Sequence, residues 1–119
     1  ASRGYHRVIP KFKFSEMIIY NVTINVQEEI HDKWLKWMKE THIPDVMESG
    51  FFKTVQINKV LSEKGEGETY AIQYFCERMK DLHNYQVNFA SALQKKHTDK
   101  YGEKVVSFRT LLEVIDVLK

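Results

Sequence analysis

The segment from Met17 to Val26 alternates apolar and polar residues, and this period of two constrains the fold more than any other feature of the sequence. An alternating segment rich in β-branched and aromatic residues predicts a strand with one buried face. The side chains expected to point into the core are Ile18, Tyr20, Val22, Ile24 and Val26. Asn21, Thr23 and Asn25 point the other way, so the strand has one face for packing and one polar face.

The hydrophobic period becomes helical from Glu28 onward. The apolar stripe of this predicted helix consists of Ile30, Trp34, Trp37 and Met38, which we expect to pack against the sheet. A break is expected near residues 41–44, because Pro44 disfavours a helical conformation at Ile43. A second short helix is then predicted from Pro44 to Ser49, where Gly50 ends it.

The remaining chain adds two strands, a long helix and a last strand. Residues 51–61 and 69–77 are predicted strands joined by a hairpin loop at 63–67. The long helix runs from about Lys80 to Tyr101, where Gly102 ends it, and the last strand covers 105–114. The order β-α-β-β-α-β predicts a ferredoxin-like α+β fold with a four-stranded antiparallel sheet. We expect one domain at 17–119, preceded by a basic segment at 1–16 that is an N-terminal arm, an upstream start or an expression remnant.

The last strand has an unusual pattern, because charged residues alternate with apolar ones on one of its sides. Its more apolar side, which we expect to face the helices, carries Val106, Phe108, Thr110, Leu112 and Val114. Arg109 and Glu113 would then lie on the face away from the helices, beside Ser107 and Leu111. In the ferredoxin-like order the first and third strands are central and the fourth lies beside the first. The ligand-binding residues expected to converge on that face are Asn21, Thr23, Gln73, Arg109 and Glu113.

Several side chains suggest chemistry. Arg109 offers a planar set of donors that suits a carboxylate or another anion, although pairing with Glu113 inside a dimer is the alternative. His42 is the one candidate general base. The five histidines lack the spacing of zinc motifs, so we expect no metal site and no cofactor. Cys76 shares a face with Ile72 and is expected to be a buried, structural thiol.

Composition limits the classes of partner. The chain has 119 residues with 18 Lys and Arg against 16 Asp and Glu, and the basic excess lies in residues 1–16. The nearly neutral remainder and a third strand without the RNA-recognition signature argue against nucleic acid. No apolar run is long enough for a membrane helix. The single cysteine favours a reducing compartment, so a cytoplasmic location is expected.

Several segments resemble domain-of-unknown-function family 4286, a bacterial family. The matching pieces are Met17-Ile-Ile-Tyr-Asn-Val-Thr23, Trp34-Leu-Lys-Trp-Met38, His42-Ile-Pro44, Thr69-Tyr70, Gln73-Tyr-Phe75 and Phe108-Arg-Thr-Leu-Leu-Glu-Val114. The resemblance implies the dimeric α/β-barrel version of the ferredoxin-like fold, in which two four-stranded sheets face each other. It implies no activity, since proteins of that architecture include monooxygenases, isomerases, haem-degrading enzymes and ligand sensors.

These observations lead to one main hypothesis and two alternatives. The main hypothesis is a cytoplasmic homodimer that binds a small organic or anionic ligand in the cleft between sheet and helices. The first alternative is a cofactor-independent monooxygenase or isomerase, and the second is a structural protein–protein interaction module. A cavity that holds a titratable group such as His42 beside Arg109 would favour the enzyme, and a cleft filled by side chains would favour the module.

Overall fold

A computed structural model describes residues 17–61 and 65–119 of the chain. The predicted basic segment at 1–16 lies outside the described residues, as does part of the predicted hairpin loop, residues 62–64.

Four antiparallel strands form one sheet. They are β1 (Ile18–Val26), β2 (Thr54–Lys59), β3 (Glu68–Cys76) and β4 (Val105–Glu113), in the spatial order β2-β3-β1-β4. The two central strands are therefore β1 and β3, and β4 lies beside β1, as predicted. With the two helical segments on one side of this sheet, the α+β ferredoxin-like fold is confirmed.

The first helical segment is continuous, so the predicted break at Pro44 is wrong. A short 3-10 turn, Glu28–Ile30, leads into α1 (His31–Trp37), a π-helical turn, Met38–His42, and α2 (Ile43–Met47). Ile43 keeps helical angles, with φ −63° and ψ −44°, and its N–H donates to the carbonyl of Met38, five residues back. A proline in a regular helix clashes with the carbonyl four residues back, and the wider π turn relieves that contact.

The second helical segment has the length that the sequence predicts. It consists of α3 (Met79–Tyr85), a π-helical turn, Gln86–Ala90, and α4 (Ser91–Tyr101). Gly102 ends it with a φ of +56°, a conformation that a residue without a side chain adopts at little cost.

The core fills the space between the helices and the sheet. Every predicted inward residue of β1 is buried, and so are the alternating residues of β3, namely Tyr70, Ile72, Tyr74 and Cys76. Trp34 is fully buried against the sheet, while Trp37 is half-buried at the helix surface. The thiol of Cys76 is buried as predicted, and burial raises its pKa to about 11, which keeps it protonated and unreactive.

The predicted orientation of β4 is wrong. Directly opposed residues of paired strands share a face, and Arg109 pairs with the inward-facing Val22 while Phe108 pairs with Thr23. Arg109, with Ser107, Leu111 and Glu113, therefore lies on the helix side of the sheet. The side chains on the opposite side, the open face, are Ile19, Asn21, Thr23, Asn25, Thr54, Gln56, Asn58, Thr69, Ala71, Gln73, Phe75, Val106, Phe108, Thr110 and Leu112.

The hairpin between β2 and β3 closes against the end of β1 at Gly67. This glycine has a φ of +76°, and a Cβ built on it would overlap the carbonyl oxygen of Val26. The Asn25 amide donates to the Glu66 carbonyl at 3.1 Å and to the Thr69 hydroxyl at 3.0 Å, which holds the loop in that place.

We predict that Gly67→Ala lowers the free energy of unfolding by about 3 kcal/mol, because it combines left-handed strain with a backbone clash. The control is Gly50→Ala, since Gly50 has a similar φ of +86° and open space around it. That variant bears the strain alone and should lose about 1 kcal/mol. Urea denaturation measures both, and equal losses would contradict the role of the close contact.

Candidate functional site

A small cavity lies between the helices and the sheet on the side of β4. We call it the helix–sheet cavity. Its lining residues are Tyr20, Val22, Ile24, Met38, His42, Val46, Ile72, Tyr74, Tyr85, Leu93, Gln94, His97, Ser107 and Arg109. Its volume of about 30 Å³ gives room for roughly two water molecules. Among the described residues that line it, none is an aspartate or glutamate, so their formal charge comes from Arg109.

Arg109 lies at the exposed side of this cavity. Its position in the last strand predicts a buried arginine, and this prediction is wrong: β4 is an edge strand and Arg109 is exposed. Its Nε donates to the hydroxyl of Tyr20 at 3.0 Å. Glu113 lies four residues farther along the same strand, roughly 13 Å away, so the two side chains cannot pair within one subunit.

Tyr20 connects the arginine to the interior. Its hydroxyl also lies 3.5 Å from Nε2 of Gln94, and its ring is stacked on Phe52 with an interplanar angle of 8°. The rings of Tyr74 and Tyr85 pack beside it, with centroids 6.0 and 5.8 Å away. Burial raises the pKa of both Tyr74 and Tyr85, so these phenols keep their protons and remain hydrogen-bond donors at neutral pH.

His97 is held in one tautomer. Its Nε2 accepts a hydrogen bond of 2.9 Å from the indole Nε1 of Trp34 in the core, so its single ring proton resides on Nδ1. A proton on Nε2 would place two donors against each other. Burial and the charge of Arg109 act in the same direction and lower the pKa of His97 to about 4. The imidazole is therefore neutral at physiological pH.

His42 lies beside His97, at the end of the first π-helical turn. The two imidazole centroids are 5.5 Å apart, and the ring of His42 also stacks on Trp37 at 5.1 Å. Burial lowers the pKa of His42 to about 4, with further lowering from His97, Arg109 and Lys96 and an opposing contribution from Asp45. His42 is thus neutral at pH 7 and can accept a proton or a hydrogen bond.

The predicted ligand-binding set is divided between the two faces of the sheet. Asn21, Thr23 and Gln73 lie on the open face, where the Asn21 amide donates to the Thr23 hydroxyl at 3.1 Å. Arg109 and Glu113 lie on the helix side. The structure instead brings together Arg109 and His42, which the sequence had suggested for different roles, in one cavity.

Three further cavity residues were missed from the sequence: His97, Gln94 and Tyr20. A signal existed for His97, because it lies four residues after Leu93, an apolar residue on the inward side of the helix. A histidine at a position reserved for apolar residues predicts a hydrogen-bonded buried group. Nothing in the sequence predicts that the hydroxyl of Tyr20, a core residue of β1, reaches Arg109.

Two classes of site find no support in the described residues. Between 17 and 61 and between 65 and 119, no three side chains of His, Cys, Asp or Glu are grouped so that they could hold a metal ion. Over the same ranges, no helix is both long and apolar enough to cross a membrane.

The sheet order and the two helical segments on one side of the sheet define a ferredoxin-like α+β protein. The chain belongs to the family described as domain of unknown function DUF4286, whose model matches residues 17–115. None of the curated proteins is similar enough in sequence to count as a match.

Solved structures with the same fold share little sequence with this chain. A candidate monooxygenase from Shewanella loihica PV-4 has a TM-score of 0.57 and 12% identity, and the match covers 88% of this chain and 100% of that one. A candidate antibiotic biosynthesis monooxygenase from Bacillus cereus has a TM-score of 0.61 and 13% identity, and the match covers 87% of this chain and 98% of that one. A dimeric ferredoxin-like protein from an uncultured marine organism has a TM-score of 0.57 and 12% identity, and the match covers 86% of this chain and 98% of that one. At these identities the likeness shows the fold alone.

We predict that the protein loses stability as the pH falls from about 6.5 to 4. Both cavity histidines have a folded pKa near 4 and an unfolded pKa near 6.5, so the unfolded chain binds more protons in that window. Their contribution is complete above pH 6.5, and each can cost up to about 3 kcal/mol by pH 4.

The measurement is urea denaturation at several pH values. A His42→Gln/His97→Gln double variant should show a flatter pH dependence than wild type, because it lacks both groups. His83→Gln is the matched control, since His83 is exposed on α3. Equal slopes for wild type and the double variant would show that the two histidines do not control this dependence.

Proposed function

We propose that the protein is a cytoplasmic homodimer that binds a small organic anion in the helix–sheet cavity of each subunit. The observation that carries this proposal is the polar arrangement of the cavity: a guanidinium, a tyrosine hydroxyl and two neutral imidazoles, with no carboxylate among the described lining residues. Such a set attracts negative charge and offers hydrogen-bond donors to it. The unpaired, buried Cys76 supports a reducing location.

The position of Arg109 supports entry of the ligand from the β4 side. The guanidinium is exposed at the side of the cavity, while its Nε already contacts Tyr20. The remaining N–H groups of an arginine form a planar fork that matches a carboxylate. A volume of about 30 Å³ suits only a very small group, so a larger ligand must displace side chains such as Arg109 and Gln94.

One observation favours the enzyme alternative, a cofactor-independent monooxygenase or isomerase. His42 and Arg109 line the same cavity, and the low pKa of His42 keeps its imidazole neutral, so it can accept a hydrogen bond from a bound acid. Two of the similar structures are described as candidate monooxygenases. The small size of the cavity favours the interaction module instead, because the cleft is nearly filled by side chains.

We predict that small carboxylates or phosphates raise the melting temperature of wild type and that Arg109→Leu abolishes the shift. The variant should lose only about 1 kcal/mol of stability, because an exposed arginine gives up one hydrogen bond. Arg78→Leu is the control, since Arg78 is exposed and paired with Asp81 outside the cavity. Anion binding at this site would be contradicted if none of these carboxylates or phosphates raised the melting temperature of wild type. It would also be contradicted if they raised the melting temperature of Arg109→Leu equally.

A second measurement separates binding from catalysis. Native mass spectrometry of the purified protein identifies any retained ligand, and the same ligand can then be offered to His42→Gln. A pure binding function predicts that this variant still binds and that the ligand is recovered unchanged from wild type. Conversion of the ligand by wild type and not by His42→Gln would establish the enzyme alternative.

We predict that the protein sediments as a dimer at micromolar concentration, with about twice the 14.1 kDa mass of one chain. The physical reason is the open face, which carries Ile19, Phe75 and Leu112. In a monomer these apolar side chains would face solvent. A sedimentation mass near 14.1 kDa would contradict the homodimer.

A further inference from the structure

A second concave surface lies between the first helical segment and the end of α4. We call it the interhelical groove. One wall is formed by α1 and the π-helical turn that follows it, and the other by the last residues of α4. Its volume is about 400 Å³, and it shares no described lining residue with the helix–sheet cavity. The groove lies on the helix side of the sheet and not on the open face.

The apolar part of the interhelical groove is mainly aromatic. Trp37 and Tyr101 meet edge to face, with ring centroids 5.5 Å apart and an interplanar angle of 68°, and Ile30 lines the same groove. All three side chains are partly buried. Trp37 is also stacked on the buried ring of His97 at 5.8 Å, so its position is fixed by the interior. Rings that are already fixed lose little freedom when a partner covers them.

Lysines border these rings on both walls. Lys33 and Lys36 belong to α1, and Lys100 belongs to α4. The Nζ of Lys100 lies 5.8 Å from the ring centroid of Trp37 and 5.7 Å from that of Tyr101. An ammonium group is attracted by the face of an aromatic ring, so this charge is held beside the apolar part of the groove.

The three groove lysines keep their charges available to a partner. Within the described part of the chain none of them forms an ion pair, although Glu40 lines the same groove. Lys95, which lies earlier on α4, is by contrast paired with Asp99 at 2.7 Å. Three lysines against one glutamate give the groove a positive potential, in a chain that is nearly neutral after residue 16.

This chemistry favours one kind of occupant. The rings favour a large apolar side chain, and lysines on both walls favour carboxylates on either side of it. Small ligands are usually enclosed by their pockets, whereas these lysines are exposed to solvent. A peptide segment can extend beyond the groove along both helical segments. Nucleic acid fits less well, because the carboxylate of Glu40 would repel its phosphates.

We infer that the interhelical groove binds an acidic segment of another protein, with one large apolar side chain against the aromatic rings and carboxylates paired to Lys33 and Lys100. This interaction is separate from the proposed anion site, because the groove and the helix–sheet cavity have different described lining residues.

The first test is a selection from a phage-displayed library of random short peptides. Phages that bind a Lys33→Glu/Lys100→Glu variant are removed, and the remainder are selected on wild type. The retained peptides should carry aspartate or glutamate beside an aromatic or large aliphatic residue. Retained peptides without this pattern would overturn the inference, and so would the failure to retain any peptide.

The second test measures the dissociation constant of one selected, fluorescein-labelled peptide by fluorescence anisotropy. Lys33→Glu and Lys100→Glu should each weaken binding by about tenfold or more, because a like charge replaces an opposite one. Lys80→Glu is the matched control and should bind as wild type does, since Lys80 is exposed on α3 outside the groove. Arg109→Leu should also bind normally, which separates this result from the anion site. Equal affinities for wild type and both groove variants would overturn the inference.

A third measurement uses wild type alone and so does not depend on the folding of a variant. Saturating peptide should shift the tryptophan emission, because Trp37 lines the groove while Trp34 is fully buried. The affinity should also fall as the salt concentration rises. An unchanged emission would overturn the inference. Tighter binding to single-stranded oligothymidylate or to phosphatidylserine vesicles than to the peptide would overturn it as well, and would assign the groove to that polyanion.

Discussion

The pairing of β1 with β4 is the constraint on which the site depends. Side chains of a strand alternate between faces, so the register that sets Val22 opposite Arg109 also decides what the helices cover and what the open face presents. A shift of one residue would return Arg109 to the open face and place Phe108 beneath the helices. The cavity would then lose its cation, and the open face would lose the exposed ring of Phe108.

Much of the fold could be predicted from the sequence, because β1, β3 and the long helix have strong hydrophobic periods and clear ends. The orientation of β4 could not. Its apolar residues, Val106, Phe108 and Leu112, suggest a core-facing side, yet the register with β1 places them on the open face, where they are exposed. An alternating pattern reports that one side avoids water, and it does not say whether the chain's own helices or another molecule provides the cover.

The site was predictable only in part for the same reason. Arg109 and His42 were recognised as chemically important residues, but their meeting depends on the reversed face of β4 and on an aromatic layer of Trp34, Trp37 and Tyr20. Long-range contacts of this kind leave no local signature. The tautomer of His97 follows from a single indole donor in the core, so a residue that fills space also decides which ring nitrogen carries the proton in the cavity.

The π-helical turns have a consequence for helical phase. Each turn of this type inserts one extra residue, and a single residue rotates the following part of a helix by about 100°. The turn at Met38–His42 therefore lets Trp34 before it and Val46 after it both face the sheet, although a regular helix would carry one of them sideways. Loss of one residue there would place Trp34 and Val46 eleven residues apart, about three full turns of a regular helix, so α2 would keep its face toward the core without the π turn. The effect of the extra residue is therefore local: it widens the turn at Met38–His42, and His42, the last residue of that turn, lines the cavity.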